Sequence, residues 1–406
     1  MDPFFTELGH KVLQQWKQEN FSLEKFPEIA CRALEERPPA EHVDLNAFIK
    51  DFLIQEIQPP QSQSGFGQPE LVVFEHSRFY IQVLFWLDGT TDIHQHEFSG
   101  AFHVMAGSSI HAQYAFENAQ PITPHLQVGD VRMQHIELLE TGRTVPIRSG
   151  KTCIHSLFHL DTPSITVVVR TQHDPGTGPQ FNYLPPGVAM DPDFSDTLTM
   201  RRKQLLAVLE QIDDPDYPEW VREMIAELDF ERGFFIMESS MSHLRSHGEW
   251  DATLATFEQK HGAKAKGISA TLEECMRRDL IKELRGSVTE PEHRFFMALL
   301  LNVPEKGQLL QLVKQRFPEE EATETILRWI EELTEVSDLG VIVLDAAFPE
   351  EWQIPIERQW GLFSAAIRHF VMGAKKAPAA LRELSAAQLK ELRTILADSS
   401  LRLLVS

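Results

Sequence analysis

The sequence contains little cysteine. Of its 406 residues only 3 are cysteines, and Cys31, Cys153 and Cys275 lie far apart with no CxxC pair among them. Small secreted proteins that depend on disulfides have a denser and more regular cysteine pattern. A reducing compartment therefore fits the chain best, and we expect a cytoplasmic protein.

Positive charge and long apolar runs are also scarce. The chain has 38 Lys and Arg against 60 Asp and Glu, which gives a formal net charge of −22. Such a charge repels phosphate backbones and anionic lipid headgroups, so we expect neither nucleic acid nor membrane partners. No apolar run approaches the roughly 20 residues of a membrane helix. The first residues mix acid and base into their apolar pattern, unlike a signal peptide.

The pattern of apolar residues changes twice along the chain. Large apolar residues recur every fourth position from Phe4 to Trp16, which predicts N-terminal helices over residues 1–58 that pack on the following domain. Short runs rich in Val, Ile, Phe and Thr, separated by turn signals, predict a β-sandwich or barrel over residues 70–190. Helical periodicity then predicts an all-α domain over residues 197–406.

A segment rich in proline and glycine, from Asp174 to Gly187, joins the β domain to the helical half. Its composition argues against regular secondary structure. It also contains Phe181, Tyr183 and Leu184, each of which gains roughly 1.5–3 kcal/mol if fully buried. We therefore predict an ordered strap against a surface, with a helical half that docks on the β domain and covers or shapes the barrel mouth.

Histidine is unusually frequent for a chain of this length, with 17 of the 406 residues. His94 and His96 lie two positions apart in a predicted strand, so their side chains project from one face and can bind one metal ion together. A third ligand must come from another strand. His155 is the better candidate because it follows a turn and precedes an antiparallel return strand through Ile165; His159 is the reserve.

The residues around this histidine pair resemble the first metal motif of the cupins, which are small double-stranded β-helix barrels. The closest likeness is to the thiol dioxygenases, which include cysteine dioxygenase and mercaptopropionate dioxygenase. The positions that match this motif in order are Trp86, Gly89, His94, His96 and Gly107. The resemblance covers only about residues 71–170. It implies a cupin-like jelly-roll barrel there. Together with the helices that periodicity predicts on either side, we expect an α+β multidomain chain with this barrel, an N-terminal helical preface and a large all-α C-terminal domain.

The resemblance also implies a ligand set and a cofactor. Most cupins carry a Glu ligand at the position that Gly100 occupies here, so a three-histidine site of His94, His96 and His155 is implied. In thiol dioxygenases three neutral imidazoles bind ferrous iron and leave positions open for substrate and dioxygen. The implied activity is that of a non-haem iron(II)-dependent oxygenase. Zn, Ni and Mn also accept imidazole ligands.

Two departures from the family concern substrate recognition. The family clamps the substrate carboxylate with an Arg on the strand ahead of the metal strand, which is apolar here, and the sequence does not locate Arg78 or Arg170. The family also has Ser, His and Tyr on alternate positions of a later strand, where this chain has Ser164, Thr166 and Val168. We therefore expect a small or thiol-related substrate other than free cysteine.

Other polar residues have a functional and an ordinary interpretation. Tyr114 and Tyr183 are candidates for donating a phenol to a bound oxygen species, although tyrosines anchored in the core are commoner. For His103, His111 and His135 we expect core or surface histidines with hydrogen-bond partners.

Two functions besides an oxygenase remain open at this point. One is a non-catalytic cupin scaffold whose helical domain binds a protein partner. The other is a metal-assisted hydrolase or isomerase that uses the same ligands. Iron that is lost on replacing His94 and His96 would separate an oxygenase from the scaffold, and oxygen consumption with candidate thiols would separate it from the hydrolase or isomerase.

Overall fold

The structure is a computed structural model that describes residues 3–56, 59–61, 66–87, 91–336, 347–349, 352–373, 378–397 and 399–405. Gly89, one of the residues that match the cupin motif, lies outside the described residues.

The chain begins with helices, as the apolar spacing predicts. They are α1 (Pro3–Gln18), α2 (Phe26–Glu36), α3 (Pro39–His42) and α4 (Leu45–Ile54). Helix α4 begins where the Asp44 carboxylate accepts a hydrogen bond of 2.8 Å from the Ala47 amide, which satisfies an otherwise unpaired donor. The buried face of α1 carries Phe5, Val12 and Trp16, and these side chains share one apolar core with residues of the β domain.

A run of antiparallel strands follows. They are β1 (Glu70–His76), β2 (Phe79–Trp86), β3 (His94–His96), β4 (Gly100–Ala106), β5 (Ser108–Thr123), β6 (Leu126–Glu140), β7 (Thr144–Ile147), β8 (Gly150–His159), β9 (Ser164–Thr171), β10 (Asn182–Leu184) and β11 (Val188–Met190). One sheet has the order β1-β2-β9-β4-β7. The other runs β10-β11-β6-β5-β8-β3 and closes because Asn182 of β10 pairs with His94 of β3.

From β6 to β10, successive strands alternate between the two sheets. Strand β8 pairs with β3 and β5, whereas β9 pairs with β2 and β4 of the other sheet. The expected direct antiparallel return from His155 through Ile165 is therefore wrong, because the chain crosses between sheets after His159. This crossing places two sheets around one interior, as in a jelly roll.

The barrel has an apolar interior and two covered outer faces. The interior cluster includes Trp86, Phe102 and Leu157. The N-terminal helices cover the outer face of the first sheet. The helical half covers the outer face of the second sheet, where Ile110 and Phe158 join its core.

The helical half begins at Thr197. Its α-helices are α5 (Thr197–Gln211), α6 (Tyr217–Glu227), α7 (Phe230–Ser246), α8 (Trp250–His261), α9 (Ile268–Arg285), α10 (Pro291–Asn302), α11 (Lys306–Arg316), α12 (Ala322–Val336), α13 (Ile356–Met372), α14 (Ala386–Ala397) and α15 (Arg402–Val405). Short 3-10 helices span Gly262–Ala265 and Ala379–Glu383. Within the described ranges, no helix has both the length and the apolar character needed to cross a membrane.

The predicted fold class is confirmed: a β-barrel lies between N-terminal helices and a large helical region. The division into domains at 1–58, 70–190 and 197–406 stays a prediction. The strap does lie against a surface, with Phe181 and Tyr183 buried. The expectation that it lacks regular structure is wrong at residues 182–184, because β10 fills the gap between β3 and β11 and so satisfies its backbone groups.

Candidate metal centre

Strands β3 and β8 bring three histidines together inside the barrel. His94 pairs directly with His155 in the ladder, and His96 lies two residues along β3 on the same face. One ring nitrogen from each of the three lies within 4.8 Å of the others, and all three side chains are buried. The structure thus brings together the residues that the sequence proposes as ligands.

Burial keeps these imidazoles neutral. Loss of solvation lowers the pKa of His94, although a hydrogen bond to a backbone carbonyl opposes the shift. Burial also lowers the pKa of His96 and His155 well below its usual range, and the neighbouring histidines lower it further. A neutral imidazole has a free lone pair, which is the form that binds a metal ion.

A backbone contact selects which nitrogen of His94 is free. Its Nδ1 lies 2.8 Å from the carbonyl oxygen of Asp92, an acceptor only, so Nδ1–H donates and Nε2 keeps the lone pair. Metal-binding histidines commonly fix their tautomer through such an outer contact. His94 is therefore prepared to coordinate through Nε2.

His155 is oriented by a chain of two side chains, the buried His111 and the half-buried Glu137. Its Nδ1 lies 3.0 Å from Nε2 of His111, and Nδ1 of His111 lies 3.3 Å from Oε1 of Glu137. The hydrogen bond from His111 lowers the pKa of Glu137, so this carboxylate is ionised and accepts. His111 then donates through Nδ1 and accepts from His155, which leaves Nε2 of His155 free and 2.9 Å from Nε2 of His96.

Sequence reasoning missed this role of His111. His111 does have the expected hydrogen-bond partner, but that partner is His155, one of the three candidate metal ligands. In the β5–β8 ladder His111 pairs with Leu157 and not with His155, so the contact is diagonal and depends on the register between strands. Nothing in the spacing along the chain indicates that register.

The donor set fits a metal ion held by imidazoles alone. Among the described residues, the cluster of ligand atoms contains no carboxylate. At Gly100, where most cupins have Glu, a Cβ would lie only 2.1 Å from the carbonyl oxygen of Val169. The backbone of β9 therefore leaves no room for a side chain there. Three buried, neutral imidazoles suit ions such as Fe, Zn or Ni.

The three histidines line a cavity of about 450 Å³. Apolar and aromatic side chains such as Trp86, Phe98 and Phe102 form about half of its walls, and Thr166 and Val168 from β9 also line it. The polar part of the lining, besides the histidines, includes Gln82, Arg170 and the carboxylates Glu70 and Asp193. Apolar walls with placed polar groups are typical of small-molecule sites.

Two of those polar side chains have unused hydrogen-bonding capacity. The guanidinium of Arg170 lies 3.3 Å from the ring centroid of Phe98 and makes only long contacts to the carbonyls of Thr171 and Gln172, at 3.4 and 3.5 Å. Its Nη1 has no partner among the described residues. Gln82 is 2% exposed, and its Oε1 is buried without a partner. The other candidate clamp, Arg78, lies 4.5 Å from the ring of Phe21 instead.

The two tyrosine candidates lie outside this cavity lining. Tyr114 pairs with Ile154 on the outer face of β5, and its hydroxyl lies 3.5 Å from Oδ1 of Asn302 in α10. The hydroxyl of Tyr183 donates to Oε1 of Gln95 at 2.5 Å. Burial raises the pKa of both phenols. Their placement is that of tyrosines anchored in the core, and gives no support to a role at bound oxygen.

The remaining histidines do not join the cluster. His159, the reserve ligand, is fully buried, stacks on Trp86 at 4.6 Å and contacts Oγ of Ser109 at 2.8 Å through Nδ1. His103 contacts Oγ1 of Thr144 at 2.8 Å, and His135 is exposed.

Among its described residues, the helical half contributes none to the lining of the histidine cavity. The described residues that line the histidine cavity all lie between Phe66 and Asp193. The helices instead approach from outside, where Arg285 donates to the carbonyl of His159 and Lys282 contacts Asp92 at 2.6 Å. For the described residues, the expectation that the helical half covers or shapes the barrel mouth is wrong because the apolar outer face of the second sheet, and not the mouth, offers the helices a surface to bury.

Comparisons with known proteins found similar solved structures for part of the chain. No family model matches the sequence, and no curated protein matches it. Among solved structures, the chain is similar to DMSP lyase DddQ from Ruegeria pomeroyi (16% identity, 44% of this chain, 95% of that chain, TM-score 0.24). It is also similar to a cupin-2 domain protein from Shewanella frigidimarina (14% identity, 32% of this chain, 96% of that chain, TM-score 0.20).

A third similar structure is hydroquinone 1,2-dioxygenase from a Sphingomonas species (10% identity, 27% of this chain, 68% of that chain, TM-score 0.21). These identities and TM-scores carry no argument about activity. The partial resemblance to cupins is confirmed, and the fold itself follows from the strand order above.

Proposed function

We propose that this protein is a non-haem iron(II)-dependent oxygenase of the three-histidine cupin type. The observation that carries the proposal is the cluster of His94, His96 and His155, buried and neutral at one end of a substrate-sized cavity. A ferrous ion held by three imidazoles would supply open coordination positions for substrate and dioxygen. The protein supplies ligand orientation and the shape and polarity of the cavity.

The substrate that fits this cavity is a small organic anion. Arg170 sits in the lining with unused donors, and a guanidinium binds carboxylates through charge-assisted hydrogen bonds. Gln82 adds an amide whose oxygen has no partner, so it can accept a bond from a substrate hydroxyl, amine or thiol. Arg170 thus takes the place of the clamp that the thiol dioxygenase family has on another strand.

Free cysteine fits this cavity less well than a larger acid. Thr166 and Val168 line it where the family has His and Tyr, and Trp86 donates to Oγ1 of Thr166 at 3.1 Å, which takes up one acceptor position of that hydroxyl. The apolar side chains of the lining, such as Phe98 and Phe102, favour a substrate with an apolar body beside its anionic group.

Oxygen uptake by the iron-loaded protein tests the proposal. Wild-type protein, loaded with ferrous iron without air, is mixed with candidate thiol acids and phenolic acids in an oxygen electrode. We expect saturable uptake with at least one organic acid and poor turnover of cysteine. Arg170→Gln should raise KM about 10- to 100-fold, because a charge-assisted hydrogen bond contributes about 1.5–3 kcal/mol, while iron content stays constant.

Arg78→Gln is the matched control, since Arg78 is an arginine of the same domain that lies outside the cavity lining. It should behave as wild type. Iron that does not bind, or bound iron that consumes no oxygen with any acid in the panel, would contradict the oxygenase proposal. Efficient turnover of cysteine would contradict the proposed substrate class.

A further inference from the structure

A second cavity, of about 320 Å³, lies between the outer face of the barrel and the helical half. The barrel contributes Tyr114 of β5 and Met133 of β6 to its lining, and the helices contribute residues of α9, the end of α10, and α15. None of its lining residues belongs to the histidine cavity. The closed second sheet separates the two cavities.

Arginines dominate the polar part of this second cavity. Arg277 binds the carboxylate of Glu274 through Nε and Nη2, at 2.8 and 2.7 Å, and donates from Nη1 to the carbonyl of Leu300 at 2.8 Å. Arg278 donates from Nη1 to the carbonyl of Leu301 at 2.7 Å. Arg402 reaches the same carboxylate from the cavity rim, at 3.3 Å.

A purely structural role accounts for part of this arrangement. The carbonyls at the end of α10 carry partial negative charge, and one N–H each from Arg277 and Arg278 satisfies them. Arg277 is then fully engaged by its ion pair with Glu274. The structural role explains why arginines gather here, but it leaves Arg278 and Arg402 with donors to spare.

Hydrogen bonds to the end of α10 do not explain the excess of positive charge in this cavity. Three guanidiniums face one carboxylate, and the side chain of Arg278 is 8% exposed. Among the described residues, Nε and Nη2 of Arg278 donate to nothing. Burial opposes ionisation of Glu274, but Arg277, Arg278 and Arg402 lower its pKa overall, so its single negative charge is present. Arg277 and Arg278, both largely buried, exceed the one buried carboxylate by one positive charge, and the half-exposed Arg402 adds another at the rim. In a chain with a net charge of −22, this local positive excess suits an anion.

Most of the remaining lining is apolar, apart from Tyr114 and Asn302. Pro186 and Pro304 present ring carbons and no N–H, and Val303 and Leu403 complete this side. An inorganic anion would leave that surface unused. A ligand with an anionic head and an apolar body would cover both parts, which is the usual composition of a small-molecule site.

We propose that this cavity binds a small organic acid, with its carboxylate or phosphate between Arg278 and Arg402 and its apolar part against Pro186 and Val303. The inference is independent of the oxygenase proposal, because it uses none of the residues around the histidines. The site also contacts the sheet that carries His155: Asn302, in the lining, accepts a hydrogen bond of 3.3 Å from Ser156, the next residue along β8.

Calorimetric titration of the full-length protein tests the site. The probes are benzoate and phenyl phosphate, which distinguish a carboxylate from a phosphate head, with inorganic phosphate and benzyl alcohol as partial ligands. We expect saturable binding of benzoate or phenyl phosphate to wild type, weakened at least tenfold in Arg278→Gln and in Arg402→Gln. Arg402 is half exposed, so its variant tests the charge without disturbing a buried group.

Two further variants locate the binding. Arg201→Gln, at an exposed arginine that donates to Gln204, should bind as wild type. Arg170→Gln should keep the binding that Arg278→Gln and Arg402→Gln lose, whether or not the probe also binds beside the histidines. Loss of binding in Arg170→Gln alone would assign the probe to the histidine cavity and overturn the inference. So would unchanged binding in both Arg278→Gln and Arg402→Gln, or no binding of either probe. Equal affinity for inorganic phosphate or for benzyl alcohol would overturn the assignment to an organic acid.

Discussion

The inner and outer faces of strand β8 contact different parts of the protein. Inward, His155 faces the histidine cavity and Leu157 joins the barrel interior. Outward, Ser156 contacts Asn302 of α10 and Phe158 joins the core of the helical half. Because side chains alternate along a strand, one ten-residue segment supports a candidate reaction site on one face and a large packing interface on the other.

The two faces of this sheet therefore carry different properties: we expect residues on the inner face to determine metal binding and residues on the outer face to determine stability. The inner face holds buried, neutral histidines and unused donors, which cost stability and are retained where they serve a function. The outer face holds apolar side chains that gain stability by burial. Changes to the inner face should therefore alter metal binding, and changes to the outer face should alter the free energy of unfolding.

The largest effect is expected when a ligand is removed from the inner face. His94→Ala or His155→Ala should weaken iron binding by more than about 100-fold, since even outer contacts of metal ligands contribute 10- to 100-fold. His135→Ala, at an exposed histidine of the same domain, should leave binding unchanged. Iron content after dialysis, measured by elemental mass spectrometry, compares the variants with wild type. Equal loss in His135→Ala would mean that the ligand set is a different one.

Removal of a large side chain from the outer face should affect stability and spare the metal. Phe158→Ala should lower the free energy of unfolding by about 3–5 kcal/mol, because the ring is fully buried between sheet and helices. Chemical denaturation measures the loss, with Leu205→Ala, at an exposed leucine of α5, as control. Iron affinity at low temperature, where the variant is folded, should change less than about threefold. A much larger change in affinity would show that the two faces are coupled.

An intermediate effect is expected from the residue behind His155. His111→Asn should weaken iron binding by about 10- to 100-fold without removing a ligand, because His155 loses the partner that fixes its tautomer. His103→Asn replaces an equally buried histidine that contacts Thr144 instead, and should have no such effect. Competition against a chelator measures both affinities. If the two variants bind iron equally well, the chain from Glu137 to His155 does not support the site.

The smallest effect concerns pH. Burial lowers the pKa of His159 to about 3, against about 6.5 in an unfolded chain. Below pH 6.5 the unfolded state binds a proton that the folded state does not, so stability falls as pH falls, by about 1.4 kcal/mol per pH unit for one residue. In metal-free protein, His159→Gln should remove the uptake of about one proton on unfolding between pH 6 and 4.5. The slope of the unfolding free energy against pH should therefore fall by about 1.4 kcal/mol per pH unit. An unchanged slope would show that His159 takes up its proton in the folded state.

Local patterns in the sequence predict the part of the site that depends on one strand. The two-residue period places His94 and His96 on one face, and the cupin resemblance adds His155. The roles of His111 and Arg170 depend on how β5 and β9 lie relative to β3, and a single sequence does not specify that placement. Tyr114 is a related case: its neighbour Gln113 pairs with His155, so Tyr114 itself points outward.

The same distinction applies to the fold. Periodicity predicts the order of helices, strands and helices, because burial of one face of each element imposes it. It does not indicate where the helical half docks, since the apolar face formed by Ile110 and Phe158 exists only after the sheet has assembled. Cytoplasmic location and a protein partner for the helical domain stay predictions.

The central claim is that three imidazoles from the inner face of the barrel hold the metal. X-ray absorption at the iron edge, on the full-length protein loaded with one equivalent of ferrous iron, tests it most directly. We expect a first coordination shell of nitrogen and oxygen that contains the multiple-scattering signal of three imidazoles, reduced to two in His155→Ala at saturating iron. A sulfur scatterer in the first shell of the protein alone, or an imidazole signal that His155→Ala leaves unchanged, would contradict it.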